Sequence, residues 1–349
     1  MKVIFDCERL KYPYTGLYEY CVQLGMALKA AAGTTNETAF YVPSKYKNAF
    51  GNDSTYYIHS SVHKFLPLKI KQADIWHSSN AQPPFVECPR GMKRILTIHD
   101  LNFLYEKSSL RKINKYLKAF QNSVARADAI IAPSEYAKND IVRHLNPEGK
   151  PVFVVYNGCN VVESPPCHAP LYRPDVPFLF AMGTVLPKKN FHVLPCLLAG
   201  NDWELIIAGK GNDNYIRKIE EEAKKHNVAH RVILTGAINN EDKHWYLKNC
   251  LAFLFPSLAE GFGIPPVEAM RFGKPVFLSR KTSLPEVGGK HAYYFDDFDP
   301  HNMRDAFNKG MNHYEKNHTA PLIAEHARRF DWNKTAHTCW EIYKLLLGA

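Results

Sequence analysis

The chain has 349 residues, of which 46% are hydrophobic and 22% charged, and carries a formal net charge of +10. That length and apolar content support two ordinary hydrophobic cores and exclude a disordered chain. The charge calls for an anionic partner such as a phosphorylated small molecule, an anionic lipid surface or nucleic acid.

The chain opens with Val3-Ile4-Phe5, which Asp6 interrupts before it could form a signal-peptide core. No later stretch approaches the roughly 20 apolar residues of a membrane span. Together these features predict a cytoplasmic protein. Short apolar runs then alternate with amphipathic segments. Val3–Cys7, Thr38–Val42, Ala73–His77, Ile95–His99, Ala129–Pro133 and Val152–Val155 read as buried strands. Tyr18–Lys29, Leu110–Ala125 and Tyr136–Leu145 read as helices between them. Strand, helix, strand in succession predicts a parallel sheet covered on both faces. The turn Asn157-Gly158-Cys159-Asn160 and the proline-rich stretch from Ser164 to Pro177 mark a linker.

The alternation then restarts. Strands are expected at Phe178–Met182, Trp203–Ala208, Arg231–Leu234, Leu251–Phe255 and Val276–Leu278. Helices are expected at Phe191–Leu198, Tyr215–Asn227, Asp242–Lys248 and Pro265–Phe272, and through the tail from His301 to Leu347. This predicts a domain over residues 1–164, rejoined by a C-terminal helix at 333–349, and a second domain over 165–332. Two doubly wound units facing each other would form a cleft, with ligands beyond the carboxyl ends of the strands. Cys7, Cys21, Cys88, Cys159, Cys167, Cys196, Cys250 and Cys339 are scattered, with no Cys-x-x-Cys pair, and read as reduced core thiols.

The most informative stretch runs from Phe255 to Met270 and contains Glu260-Gly261-Phe262-Gly263-Ile264-Pro265-Pro266-Val267-Glu268. It leads from a strand end into a helix start, where backbone N–H groups and the helix dipole favour a phosphate. Gly261 and Gly263 let a ligand approach the main chain. Glu268, one turn into the helix among apolar neighbours, is placed to accept hydrogen bonds from a ribose diol. Glu260 stands at the strand end. A second stretch, Gly183-Thr184-Val185-Leu186-Pro187-Lys188-Lys189-Asn190, again follows a strand, and a lysine there can neutralise a leaving diphosphate. It is not a P-loop, because the glycine spacing and the Lys-Ser/Thr pair are missing. Ile206 to Gly211 is a weaker glycine-bearing strand end.

In order, these pieces resemble glycosyltransferase family 4, of the GT-B fold. Glu260 and Glu268 match its Glu-x7-Glu motif. Gly183 to Asn190 is similar to its donor-phosphate loop, and Ser283-Leu284-Pro285-Glu286-Val287 to the segment that follows. Thr15-Gly16, Ile98-His99-Asp100 and Ala132-Pro133-Ser134-Glu135 extend the likeness into the N-terminal half. The resemblance implies that Lys189 binds the donor diphosphate, that Glu260 contacts the hexose, and that Gly261, Phe262 and Gly263 offer amides. It also implies that Glu268 holds the ribose, that Gly16 keeps the first loop low beneath the diphosphate, and that His99 reaches the donor sugar. Glu260, Lys189 and His99 form the expected catalytic set, with Gly183, Thr184 and Lys188 beside the phosphates. Many relatives carry an arginine where this chain has Thr184, so the clamp has lost one cation, for which Lys188 is expected to substitute, as in the variant form of the loop.

The family implies retention at the anomeric carbon. With Glu268 committed to ribose, no carboxylate pair of the retaining-glycosidase kind is evident. Front-face departure of the nucleoside diphosphate, which takes the acceptor's proton, is therefore expected. No metal or cofactor is expected, and the acidic run Phe295 to Pro300 reads as a turn and helix cap. The chain also resembles bacterial polysaccharide mannosyltransferases, which implies GDP-mannose as the donor, with UDP-glucose and UDP-galactose open, and a glycan or lipid-linked saccharide as the acceptor. Strand ends place Tyr14, His77, Asn80 and Asn102 along the acceptor. The helix from Ser109 to Phe120 is basic and amphipathic, and Lys64 to Lys71 mixes lysines with apolar residues. Either is compatible with a peripheral contact at the inner membrane face or with an ordinary solvated surface. No nucleic-acid module is present, and a catalytically silent nucleotide-binding scaffold is the alternative from another class.

Overall fold

The apolar runs form strands because each is buried on both sides. Ala129 to Ala132 and Ala252 to Phe255 are enclosed at every residue, as in a sheet covered on both faces. The computed structural model describes residues 1–13, 15–64, 70, 72–81, 91–106, 109–159 and 168–348. It divides into two units, Met1–Gly158 with Phe330–Ala349, and Cys159–Arg329.

In the first unit the strands are β1 (Lys2–Asp6), β2 (Glu37–Val42), β3 (Tyr56–Ile58), β4 (Ile75–Ser78), β5 (Lys93–Thr97), β6 (Ala129–Ala132) and β7 (Val152–Val154). Their order in the sheet is β3-β2-β1-β4-β5-β6-β7, all parallel. In the second unit they are β8 (Phe178–Met182), β9 (Glu204–Ala208), β10 (Val232–Gly236), β11 (Ala252–Phe255), β12 (Val276–Ser279) and β13 (Tyr293–Phe295), ordered β10-β9-β8-β11-β12-β13. Each sheet therefore reverses its direction of winding beside its first strand. The loops leaving β1 and β4, and those leaving β8 and β11, diverge there and open a crevice at the carboxyl ends.

β3 lacks a sequence signal because it is a three-residue edge strand with no fully buried position. Phe191–Leu198 is a 3-10 segment instead of the expected α-helix. Pro195 in its middle has no N–H to donate and its ring clashes with an α-helical turn. The run from Phe295, the last residue of β13, to Pro300 behaves as a cap: Asp299 Oδ1 accepts from the amides of His301 and Asn302 at 2.9 and 3.2 Å.

The last helix, Trp332–Leu347, packs on Gly16–Ala31 within the first unit. Trp340 is buried there and its indole N–H donates to the Leu28 carbonyl at 3.1 Å. Thr335 Oγ1 donates to the Tyr156 carbonyl at 2.8 Å. A Cβ on Gly158 would lie 2.2 Å from the Trp332 amide nitrogen, so only glycine lets the strand-end turn meet this helix. The units meet in sequence at Gly158/Cys159 and Arg329/Phe330, compared with the expected 164/165 and 332/333. Phe330 belongs with the first unit because its ring packs on Tyr156. Residues 160–167, which include the start of the proline-rich stretch, lie outside the described residues.

The Leu110–Arg126 helix buries Phe120, Ser123 and Val124, while Arg111, Lys112, Lys115 and Lys118 are exposed. Of the Lys64 to Lys71 segment, residues 65–69 and 71 lie outside the described residues. Among the described residues no helix is long and apolar enough to cross a membrane. Six cysteines are described, all buried and free; Cys88 and Cys167 lie outside the described residues.

Truncating the indole that anchors the last helix leaves a cavity and an unanswered carbonyl. Trp340→Ala is expected to cost about 3–5 kcal/mol in the unfolding transition of the first unit, read by urea denaturation.

Candidate active site

Lys189 ends a short turn, Pro187–Lys189, and Asn190 in the left-handed region (φ 59°) redirects the chain behind it. The lysine Nζ lies 2.5 Å from Glu260 Oε1 and 4.6 Å above the centre of the Phe255 ring. Both partners are largely enclosed, with side-chain exposures of 11% and 14%. A Cβ on Gly183 would stand 3.3 Å from Lys189 Cε, and one on Gly209 would stand 1.9 Å from the Gly183 carbonyl oxygen. Bare backbone at these two strand ends thus leaves the lysine its path.

Glu260 is held on several sides. Ser257 Oγ donates to the same Oε1 at 2.6 Å, and the Glu260 amide donates to Thr282 Oγ1 at 2.9 Å. The buried Ser283 hydroxyl lies 3.0 Å from the carbonyls of both Glu260 and Phe262. The Lys188 carbonyl accepts from the Leu258 amide at 2.7 Å, which ties the lysine turn to the glutamate loop. Oε2 of Glu260 makes no hydrogen bond among the described residues.

Gly263 caps the following helix, Ile264–Arg271, at φ 103°, a conformation that side-chain-bearing residues rarely adopt. The expected row of amides at this helix start is not there. Pro265 and Pro266 occupy its first turn and have no N–H, so among the first three helical residues only Ile264 can donate. Backbone N–H groups remain at Ile264 and in the preceding loop at Gly261, Phe262 and Gly263, all three buried. Glu268 lies on the half-buried face of the helix, with Oε1 2.6 Å from Lys243 Nζ of the Asn240–Asn249 helix. Thr184 is exposed and Lys188 half-buried beside this group.

In the first unit, Gly16 is the exposed first residue of its helix, with open space where a Cβ would sit. His99 Nε2 lies 2.8 Å from the Ser79 carbonyl, which can only accept, so this nitrogen carries the proton and Nδ1 presents a lone pair. Burial pushes its pKa down to about 4, which keeps the ring neutral. Its edge meets the Tyr20 ring at 4.5 Å.

His77 does not line an acceptor surface. It is fully buried, 2.6 Å from the Tyr343 hydroxyl and 2.8 Å from Thr97 Oγ1, and the alternation of β4 turns it inward. Asn102 is also buried, and its carbonyl accepts from the amides of Tyr105 and Glu106 as a short helix starts. Asn80 is half-buried, with an Nδ2 that finds no partner among the described residues. Tyr14 lies outside the described residues. Thr282 and Lys243 carried no expectation, because each acts through a contact distant in sequence, and Ser257, three residues before Glu260, had no role assigned to it. Ser283 stood within a recognised segment without a role assigned to it.

Two family signatures match the chain: "Glycosyl transferases group 1" over residues 170–326 and "Glycosyltransferase Family 4" over residues 21–163. The serotype-specific mannosyltransferase WbdA of Escherichia coli is 28% identical over 279 residues, covering 73% of this chain and 34% of that protein. This chain thus spans about a third of the length of the first curated relatives it matches. The O-antigen chain mannosyltransferase B of Escherichia coli is 25% identical and covers 99% of this chain and 100% of the relative. Sucrose-phosphate synthase from Thermosynechococcus elongatus superposes with a TM-score of 0.73 at 17% identity, covering 100% of this chain and 99% of that one. Anabaena HepE, solved in complex with UDP-glucose, superposes with a TM-score of 0.72 at 14% identity, covering 98% and 99%.

Burial lowers the pKa of His77 to about 3 from the ordinary 6.5. Below pH 6.5 the unfolded chain takes a proton here that the folded chain refuses, so the stability contributed by neutral His77 is lost as pH falls. The stability deficit of His77→Gln relative to the parent should therefore narrow by about 2 kcal/mol between pH 6.5 and pH 5. Urea denaturation of both proteins across that range checks this, and a constant deficit would contradict a buried neutral imidazole.

Proposed function

The chain belongs to the glycosyltransferases of family 4, and from that membership we propose that it moves a hexose from a nucleoside-diphosphate sugar to a glycan or lipid-linked acceptor in cell-surface polysaccharide synthesis. The reading rests on one observation: Lys189 and Glu260, from loops at the ends of neighbouring strands β8 and β11, meet 2.5 Å apart, with Glu268 on the helix that follows.

In the proposed reaction Lys189 binds the donor diphosphate and stabilises the charge that develops as it leaves. Glu260 contacts the hexose through Oε2, and Glu268 accepts from the ribose hydroxyls. The amides of Gly261, Phe262 and Gly263 face the hexose or phosphate. The bond from the anomeric carbon to the diphosphate oxygen breaks, and the acceptor oxygen forms its bond on the same face. The acceptor's proton passes to the departing diphosphate, with no metal required.

GDP-mannose is the donor proposed first, because the relatives named above are mannosyltransferases. UDP-glucose is the second reading, favoured by the HepE complex. Action at the cytoplasmic face of a membrane is supported by the Leu110–Arg126 helix, which exposes five cationic side chains and contains no acid.

Release of nucleoside diphosphate from GDP-mannose, UDP-glucose and UDP-galactose tests the reaction and ranks the donors. Glu268→Ala should raise the donor Kd by about tenfold or more, as a charge-assisted hydrogen bond is lost. Glu260→Ala should lower kcat by about a hundredfold with a smaller change in donor affinity. No release from any of the three, with neither substitution altering nucleotide binding, would leave a silent scaffold as the better account.

A further inference from the structure

We infer that Lys243 is a positioning residue for the nucleotide: it fixes the Glu268 carboxylate so that one oxygen is tied and the other is offered to the ribose diol. The inference rests on the proposed role of Glu268 and deepens it.

Lys243 and Glu268 stand on different helices, Asn240–Asn249 and Ile264–Arg271, which pack against each other. Lys243 Nζ lies 2.6 Å from Glu268 Oε1, and the two side chains are only 14% and 13% exposed. Oε2 of Glu268 makes no hydrogen bond among the described residues.

The helix that carries Lys243 cannot turn away. Asp242, its neighbour in sequence, is buried and meets His168 Nε2 at 2.7 Å. The Asn239 side chain caps the helix at the Asp242 amide at 2.7 Å. The buried Tyr246 donates its hydroxyl proton to the Tyr172 carbonyl at 2.5 Å. Lys243 therefore projects from a helix whose rotation is set by buried contacts on both sides of it in sequence.

Two physical consequences follow. A carboxylate at this level of enclosure with no cation would be poorly solvated, and the ammonium offsets that cost so that Oε2 can be spent on the ribose hydroxyls. A free glutamate side chain would also sample several rotamers, whereas one tied through Oε1 presents Oε2 in a single direction. Arginine retains both effects, and methionine, of similar length and apolar, removes both.

Calorimetric titration of the full chain with GDP and UDP, each against its 2′-deoxy counterpart, tests the inference in the parent and in Lys243→Met, Lys243→Arg and Glu268→Gln. Thermal melts confirm that each variant is folded. The parent should prefer the ribonucleotide, and Lys243→Met should weaken ribonucleotide binding by about tenfold while leaving the deoxy ligand within about threefold, so that the preference collapses. Lys243→Arg should keep it. Equal weakening of both ligands by Lys243→Met, or an unchanged preference, would overturn the positioning role while leaving Glu268 on the ribose. An unchanged preference in Glu268→Gln, or no binding of either nucleotide to the parent, would overturn the donor-site reading together with this one.

Discussion

The contact between Lys189 and Glu260 organises the second unit, because it closes a loop pair that the sheet alone only brings near. β8 and β11 are adjacent in the sheet, and their carboxyl-end loops emerge side by side. The ion pair at 2.5 Å bridges residues 71 positions apart in sequence. At 11% and 14% exposure neither charge is well solvated, so removing one partner would strand the other, at a cost of up to about 3–5 kcal/mol if burial were complete. The surrounding choices serve this contact. Glycine at 183 and 209 leaves room, Ser257 shares the acceptor oxygen, and Thr282 and Ser283 hold the glutamate loop in place.

A second pair repeats the arrangement on the following helix, where Lys243 ties one oxygen of Glu268. Each acid is thereby neutralised locally, while one of its oxygens takes no hydrogen bond among the described residues. Two uncompensated carboxylates in an enclosed site would oppose a dianionic ligand. In the proposed donor site, two lysine–glutamate pairs would offset that field and hold the carboxylates in place before a ligand arrives, which is the condition for electrostatic preorganisation. The loop amides gain importance in this setting, because the paired prolines strip the helix start of most of its donors.

In the first unit the polar residues near the strand ends are largely spent on holding the unit together. Tyr343, His77, Thr97 and Tyr20 form a buried chain with successive separations of 2.6, 2.8 and 3.1 Å. This chain links the last helix to β4, β5 and the first helix, so that a segment remote in sequence completes the core. His99 lies beside it, and the Ser79 carbonyl selects its tautomer.

By itself the sequence determined the alternation of buried strands and helices, the division into two units with a returning C-terminal helix, and the loops around Lys189, Glu260 and Glu268. These are legible because apolar runs, glycine and proline act locally, and because the acid pair and the lysine turn keep a fixed spacing. The absence of amides at Pro265 and Pro266 was equally present in the letters, since proline has no N–H, but the helix-start expectation passed over it. Only the tertiary structure decided which side chains meet. It paired Lys189 with Glu260 and Lys243 with Glu268, drew His77 and Asn102 into the core, and set Ser283 against two carbonyls. Such contacts depend on strand order and helix rotation, which are set by the packing of the whole unit and leave no periodic trace in the chain.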